Sequence, residues 1–270
     1  MCKLRIGDVG IAALAVLLTV DASEVAAQSN PLQMQQGQLA LLAPANLNKP
    51  RPKAPFDLTG YWIHVNTEPE RYTPPPDLKL LPPVIASMEA AKKAHDAGKV
   101  YHNDIGLCWP SGLPIMMTRV WPVAMMQYPT GIFMVSGLMD SLRVIFMDGR
   151  KHTDPDIAIA SFNGESIGHW EGDALVIDTT NFVGDHHWIN DTGGVPVSDQ
   201  FHEIERITMS PDKMTLTSDN TFIDPKGWVG EWHQSKHFKR IDNRDIGEVE
   251  CYPDLDQHMP STSSKDNVRD

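Results

Sequence analysis

From Val120 to Ile241, short runs of alternating apolar and polar residues are broken by turn sequences, which is the pattern of half-buried β-strands. Segments 131–135 and 142–147 end at the turn dipeptide Asp148-Gly149. Segment 166–170 runs into Glu171-Gly172-Asp173 and is followed by 174–179, the clearest hairpin in the chain. Segments 201–209, 214–223 and 228–241 come next, separated by Ser-Pro-Asp-Lys and Asp-Pro-Lys-Gly turns. With 59–65 at the start, the count reaches about eight to ten strands. That many antiparallel edges in one domain must close or stack, as a barrel or a sandwich. The reading taken forward is a mainly β chain with a single antiparallel β-barrel of calycin or lipocalin type.

One helix interrupts this pattern. Pro82-Pro83 precede VIASMEAAKKAHDAGK, with proline suited to the first turn and Gly98 to the end. Val84, Met88, Ala91 and His95 share a mild stripe, which predicts a helix near 83–98 flanking the barrel or sheet.

The ends of the chain change the picture more than its composition does. Lys3 and Arg5, the apolar run 10–20 and Val25-Ala26-Ala27 read as a signal peptide over residues 1–27. The apolar run is too short for a permanent span, which takes about 20 residues. The mature chain is therefore expected to be periplasmic or secreted, with no membrane span. Residues 28–56, rich in Gln, Asn and Pro, read as a flexible arm, 57–251 as the β-barrel domain, and 252–270 as a disordered tail. Cys2 would leave with the signal, so Cys108 and Cys251 remain and suggest a disulfide in an oxidising compartment. A nucleophilic Cys108 is the weaker alternative, and no C-x-x-C spacing occurs. The 23 basic and 35 acidic residues give a net charge of −12 at pH 7. With no Lys/Arg cluster to relieve it, that charge argues against a nucleic-acid partner.

Three blocks carry a resemblance. They are Arg143-Val144-Ile145-Phe146-Met147-Asp148-Gly149-Arg150-Lys151-His152, the segment SIGHWEGDALVIDT at 166–179, and SDQFHEIER at 198–206. Together they resemble a family of exported bacterial β-rich proteins with M-D-G-R-x-H, G-x-W-E-G-D-x-L-V-x-D-T and S-D-x-x-H-x-x-E-R motifs. Gly60-Tyr61-Trp62 is similar to the Gly-x-Trp start of lipocalin-type barrels. The resemblance implies an exported β-rich domain and no particular reaction.

The densest polar stretch runs from Asp178 to Arg206. Histidine beside carboxylate moves protons near neutral pH, the acid setting the ring tautomer. His202 is read as base or acid, Asp199 as its orienting partner and Arg206 as anion stabiliser. His186 or His187 would be a second proton carrier from a long loop. His202 and Arg206 fall on one strand face, read as lining the interior, with Glu203 and Glu205 on the other. The plain alternative is a surface strand of alternating charge. Trp188, Asp178, Arg143, Trp62 and Met134 complete the site as substrate-binding residues. Asp178 could equally be a solvated strand end, and Asp148 and His152 occupy a turn.

Methionines crowd 116–147, and thioether with imidazole suits Cu(I), yet most lie among Val, Ile and Phe as core filling. No His-Glu-x-x-His, G-x-S-x-G, G-x-G-x-x-G or phosphate loop occurs. The expectation is cofactor-independent proton transfer, of lyase, dehydratase or isomerase type, on a hydrophobic, aromatic small molecule. A non-catalytic carrier of an apolar ligand is the alternative, and a periplasmic metal-binding protein the third.

Overall fold

The computed structural model describes residues 38–99, 101, 104–139, 141–243, 245–247 and 251. The expected signal peptide and the tail after Tyr252 lie outside the described residues. The strands are β1 (Gly60–His64), β2 (Lys79–Leu80), β3 (Val123–Tyr128), β4 (Gly131–Ser136), β5 (Leu142–Phe146), β6 (Glu165–Glu171) and β7 (Ala174–Thr180). They continue with β8 (Trp188–Asn190), β9 (Val195–Pro196), β10 (His202–Met209), β11 (Thr215–Ile223), β12 (Trp228–Val229) and β13 (Trp232–Ile241). Helices are α1 (Pro44–Leu47), α2 (Pro82–Asp96) and α3 (Ile115–Thr118).

Nine strands close into a barrel in the order β1-β3-β4-β5-β6-β7-β10-β11-β13. A ring of nine cannot alternate direction all the way round. The odd step is β5–β6, the one parallel pair; the other neighbours are antiparallel. A parallel neighbour needs a crossover, because the chain must return to the end where the previous strand began. Residues 147–164 make that return, and their path matters below. The expected single barrel with a flanking helix is what the chain forms.

Alternation along each strand sorts the core. Met134, Ile145, Ile177, Ile207, Phe222 and Trp232 are buried, while Met126, Leu142 and Arg206 on opposite faces are exposed. The crowded methionines divide the same way: Met116, Met117, Met125 and Met134 are core, as gap-filling residues should be. Trp62 closes the Gly-x-Trp start. Its Nε1–H donates to Leu58 O at 2.8 Å, and the Arg240 guanidinium lies 4.4 Å above its ring. Arg240 Nη1 also donates to Thr59 O at 2.7 Å, in space that a Cβ at Gly60 (φ +146°) would occupy.

Part of the interior is polar. Arg143 is buried and pairs with Glu205, and it donates to Ser166 Oγ at 3.0 Å and Thr179 Oγ1 at 3.1 Å. The segment leading to β2 lies across this region. Lys236 Nζ donates to Pro69 O and sits 4.8 Å from the ring of Tyr72, which packs edge-on against Phe222.

Helix α2 packs on the β8–β9 hairpin and not on the barrel wall. Gly194 (φ +69°) comes so near that a Cβ would stand 2.7 Å from Ala91 Cβ and from Ser87 O. Its buried residues are Val84, Ala91 and Ala94; His95, expected on that stripe, is exposed. The described part of the arm, residues 38–56, lies on the barrel: Leu41 is buried beside Gly131, and Asn46 donates to Asp148 Oδ2 at 3.0 Å. Cys108 and Cys251 are joined as a disulfide, with Cα atoms 5.6 Å apart.

Candidate functional site

The crossover brings titratable side chains to the outer wall of the barrel. Its start is pinned where Arg150 donates twice to Asp148, at 2.8 and 2.7 Å, and stacks 4.0 Å above Phe146. Its next turn is held by Glu165, which accepts from Thr153 N–H at 2.8 Å and Thr153 Oγ1 at 2.7 Å. Between these anchors His152 is laid against the outer face of β6 and β7. In the β7–β10 register Asp178 faces Ile204 and Thr179 faces Glu203, so Asp178 and His202 are diagonal neighbours on the outer face.

Asp178 bridges two imidazoles. His152 Nε2–H donates to Asp178 Oδ1 at 2.8 Å, and His202 Nε2 stands 3.1 Å from Oδ2. The His202 contact is within ion-pair range but out of line for a hydrogen bond. His152 Nδ1–H points to Glu165 Oε2 at 3.2 Å, and Thr180 Oγ1 is equally near. Asn181 Nδ2–H also donates to Glu165 Oε2, at 3.2 Å. Side-chain exposure is 29% for His152, 39% for Asp178 and 29% for His202, so a small molecule can reach the group.

These contacts set the charges. Hydrogen bonds to Asp178 and Glu165 raise the His152 pKa to about 9 against the effect of burial. Burial pushes Asp178 up, but the two imidazoles outweigh it and hold the carboxyl well below the usual range. Burial likewise opposes the lowering of Glu165 by His152 and Thr153. Near neutral pH the site is thus an imidazolium between two carboxylates, with His202 at its open end.

No protein-family model matches this chain, and no curated protein is similar to it. The site has to be argued from its own geometry.

The structure brings together His202 and Asp178 from the expected set. It separates the others. Asp199 is exposed and pairs with Lys226 Nζ at 2.5 Å, leaving Asp178 as the carboxylate beside His202. Arg206 lies outside the barrel on Glu171, at 2.9 Å. The expectation that His202 and Arg206 line the interior is therefore corrected: the inward face of β10 carries Glu203, Glu205 and Ile207. His186 is half-buried, stacked 4.0 Å over Trp109, with Nδ1 3.3 Å from Asp104. His187 is buried, its ring nitrogens 2.8 Å from Val183 O and 2.6 Å from Leu113 O, and burial lowers its pKa. Trp188 Nε1–H donates to Asp104 Oδ2 at 2.7 Å. Trp62, Met134 and Arg143 are interior residues. Among the described residues, no group of three or more His, Cys, Asp or Glu side chains is arranged to hold a metal ion.

His152 and Glu165 were missed as site residues. The signal lay in the three sequence blocks, because His152, Asp178 and His202 come one from each. Glu203 and Glu205 were placed on the wrong side for a physical reason. In HEIERITM, Ile204 and Ile207 sit on opposite faces, so hydrophobicity does not choose between them.

Proposed function

We propose that this chain is an exported protein that carries out cofactor-independent proton transfer on a small molecule, at the outer-wall relay His152–Asp178–His202. One observation carries the reading: Asp178 uses one oxygen on each imidazole, while His202 Nδ1 has no hydrogen-bond partner among the described residues.

The roles follow from which atoms are spent. Both nitrogens of His152 face acceptors, so His152 serves as a fixed cation that keeps Asp178 ionised. Asp178 stands 3.1 Å from His202 Nε2, and a small rotation of the ring into line would give it the Nε2–H and leave the lone pair on Nδ1. His202 takes the substrate proton there, and Asp178 stabilises the imidazolium that results. Return of that proton to another atom, or to a leaving hydroxyl, gives isomerase or lyase chemistry. A hydrophobic, aromatic substrate remains the proposed class; exposed Ile157 and Ile159 on the crossover supply apolar surface on the same segment as His152. A carrier function is the second reading. It is favoured by the buried aromatic cluster in which Phe222 packs on Phe201 and Trp232, and Trp228 packs on those same two rings.

Solvent exchange separates the two readings. The protein is incubated in D2O with a small-molecule extract of the producing cells and products are weighed by mass spectrometry. A metabolite that gains deuterium with the wild type, and gains it about 10²–10⁴-fold more slowly with His202→Ala, supports the relay. Deuterium uptake undiminished in His202→Ala would end it. A ligand retained by the protein with no isotopic change identifies a carrier.

A further inference from the structure

Away from the relay, the barrel carries a cavity of about 350 Å³ lined by Val120, Trp121, Pro122, Gly137, Asp245, Ile246 and Gly247. That volume lies within the range of small-molecule sites, which are mostly apolar with a few placed polar groups. Two walls come from the barrel side: the approach to β3 and the residue after β4. The third is the chain beyond β13. Tyr61 on β1 lies close enough to Asp245 for the carboxylate to raise the pKa of its hydroxyl, and the Cys108–Cys251 disulfide ties the chain at residue 251.

The chemistry of the lining selects its occupant. Trp121 is 39% exposed and offers a flat aromatic surface, and Gly137 opens the floor. A Cβ at Gly137 would sit 3.7 Å from the Trp121 ring and 3.8 Å from Ile246, ordinary contact distances, so a larger side chain fits there by occupying the cavity. Among the described residues of the lining, Asp245 is the ionisable one, and a carboxylate offers several acceptor positions. An anion would meet Asp245 and a chain of net charge −12. A protonated arylalkylamine meets a flat wall and a carboxylate.

We infer that this cavity is a binding site for protonated arylalkylamines, separate from the proposed proton relay and independent of whether that relay turns over a substrate.

The test uses the full chain with N-phenyl-1-naphthylamine as fluorescent probe, displaced by tryptamine or by indole-3-acetate. Saturable probe binding is expected in the wild type, with tryptamine displacing it at least tenfold more effectively than indole-3-acetate. Gly137→Leu should reduce probe affinity at least tenfold with an unchanged melting temperature, since it fills space that is otherwise empty. Asp245→Asn should bring the two competitors together while leaving the probe bound. The inference is overturned if the wild type gives no saturable signal, if Gly137→Leu binds as well as wild type, or if the competitors are equal from the outset. Dimerisation of the wild type that Gly137→Leu disperses would also overturn it, by making a second copy of the chain the occupant.

Discussion

Asp178 and Thr179 are consecutive on β7 and serve opposite sides of the barrel wall. Outside, the Asp178 carboxylate accepts from His152 at 2.8 Å; inside, the Thr179 hydroxyl accepts from Arg143 at 3.1 Å. The alternation of the strand thus puts a solvent-reachable His–Asp–His cluster and a buried ion pair back to back. Side chains on the two faces share no partner, so their substitutions should have separable effects.

Asp178→Asn tests the relay without touching the interior. The amide keeps the shape but removes the charge that does most to raise His152. The His152 pKa should fall from about 9 towards the ordinary histidine value, with Glu165 still holding it above that value. A histidine titration followed by NMR reads this directly. An unshifted His152 would show that Asp178 is not its main partner in solution.

The same pair leaves a pH signature in stability. His152 has a folded-state pKa of about 9 against 6.5 for a free ring, so its contribution is complete below about 6.5 and fades as pH rises through 9. Asp178 and Glu165 are shifted down, so their contribution is present above the ordinary carboxylate range and fades in acid. The melting-temperature difference between wild type and His152→Gln should therefore be greatest from about pH 5 to 6.5 and shrink on both sides. A difference that grows above pH 9 would contradict the assignment.

The barrel was legible because its cause is local. Alternation and turn residues such as Glu171-Gly172-Asp173 act within a few positions, and strands β6 and β7 follow them closely. The relay was only half legible. His202 and Asp178 stood out as titratable residues near a long loop, but their pairing depends on strand register. His152 depends on the path of the crossover, which follows from the odd number of strands and not from any local pattern. Asp199 is the partner that nearness in sequence suggests, yet Lys226 from the turn after β11 holds it. The inward face of β10 was unreadable for another reason: Glu205 is met inside the barrel by Arg143, which is 62 residues away in the chain.

Reduction of Cys108–Cys251 should be costly. The bond closes a loop across a sequence separation of 143 residues. The chain-entropy account of such a loop gives about 5 kcal/mol, if the native fold gains no freedom in exchange. Chemical denaturation with and without dithiothreitol should show the midpoint falling on reduction. A midpoint indifferent to the reductant would mean that the unfolded chain is already constrained without the bond.

The two buried carboxylates of β10 should respond to substitution with opposite signs. Glu205 is matched to Arg143, so Arg143→Met leaves an unpaired acid in the interior and should destabilise by about 3–5 kcal/mol. Glu203 is 1% exposed, and its Oε2 has no hydrogen-bond partner among the described residues. Burial, with Glu205 close by, pushes its pKa well above the carboxylate range, so it is a neutral acid with a missing contact. Glu203→Met removes that unmet group and should be neutral or stabilising by up to about 2 kcal/mol. Urea denaturation of the two variants beside wild type decides the matter. Equal losses in both would mean that Glu203 has a partner in solution, such as a buried water, that makes it as necessary as Glu205.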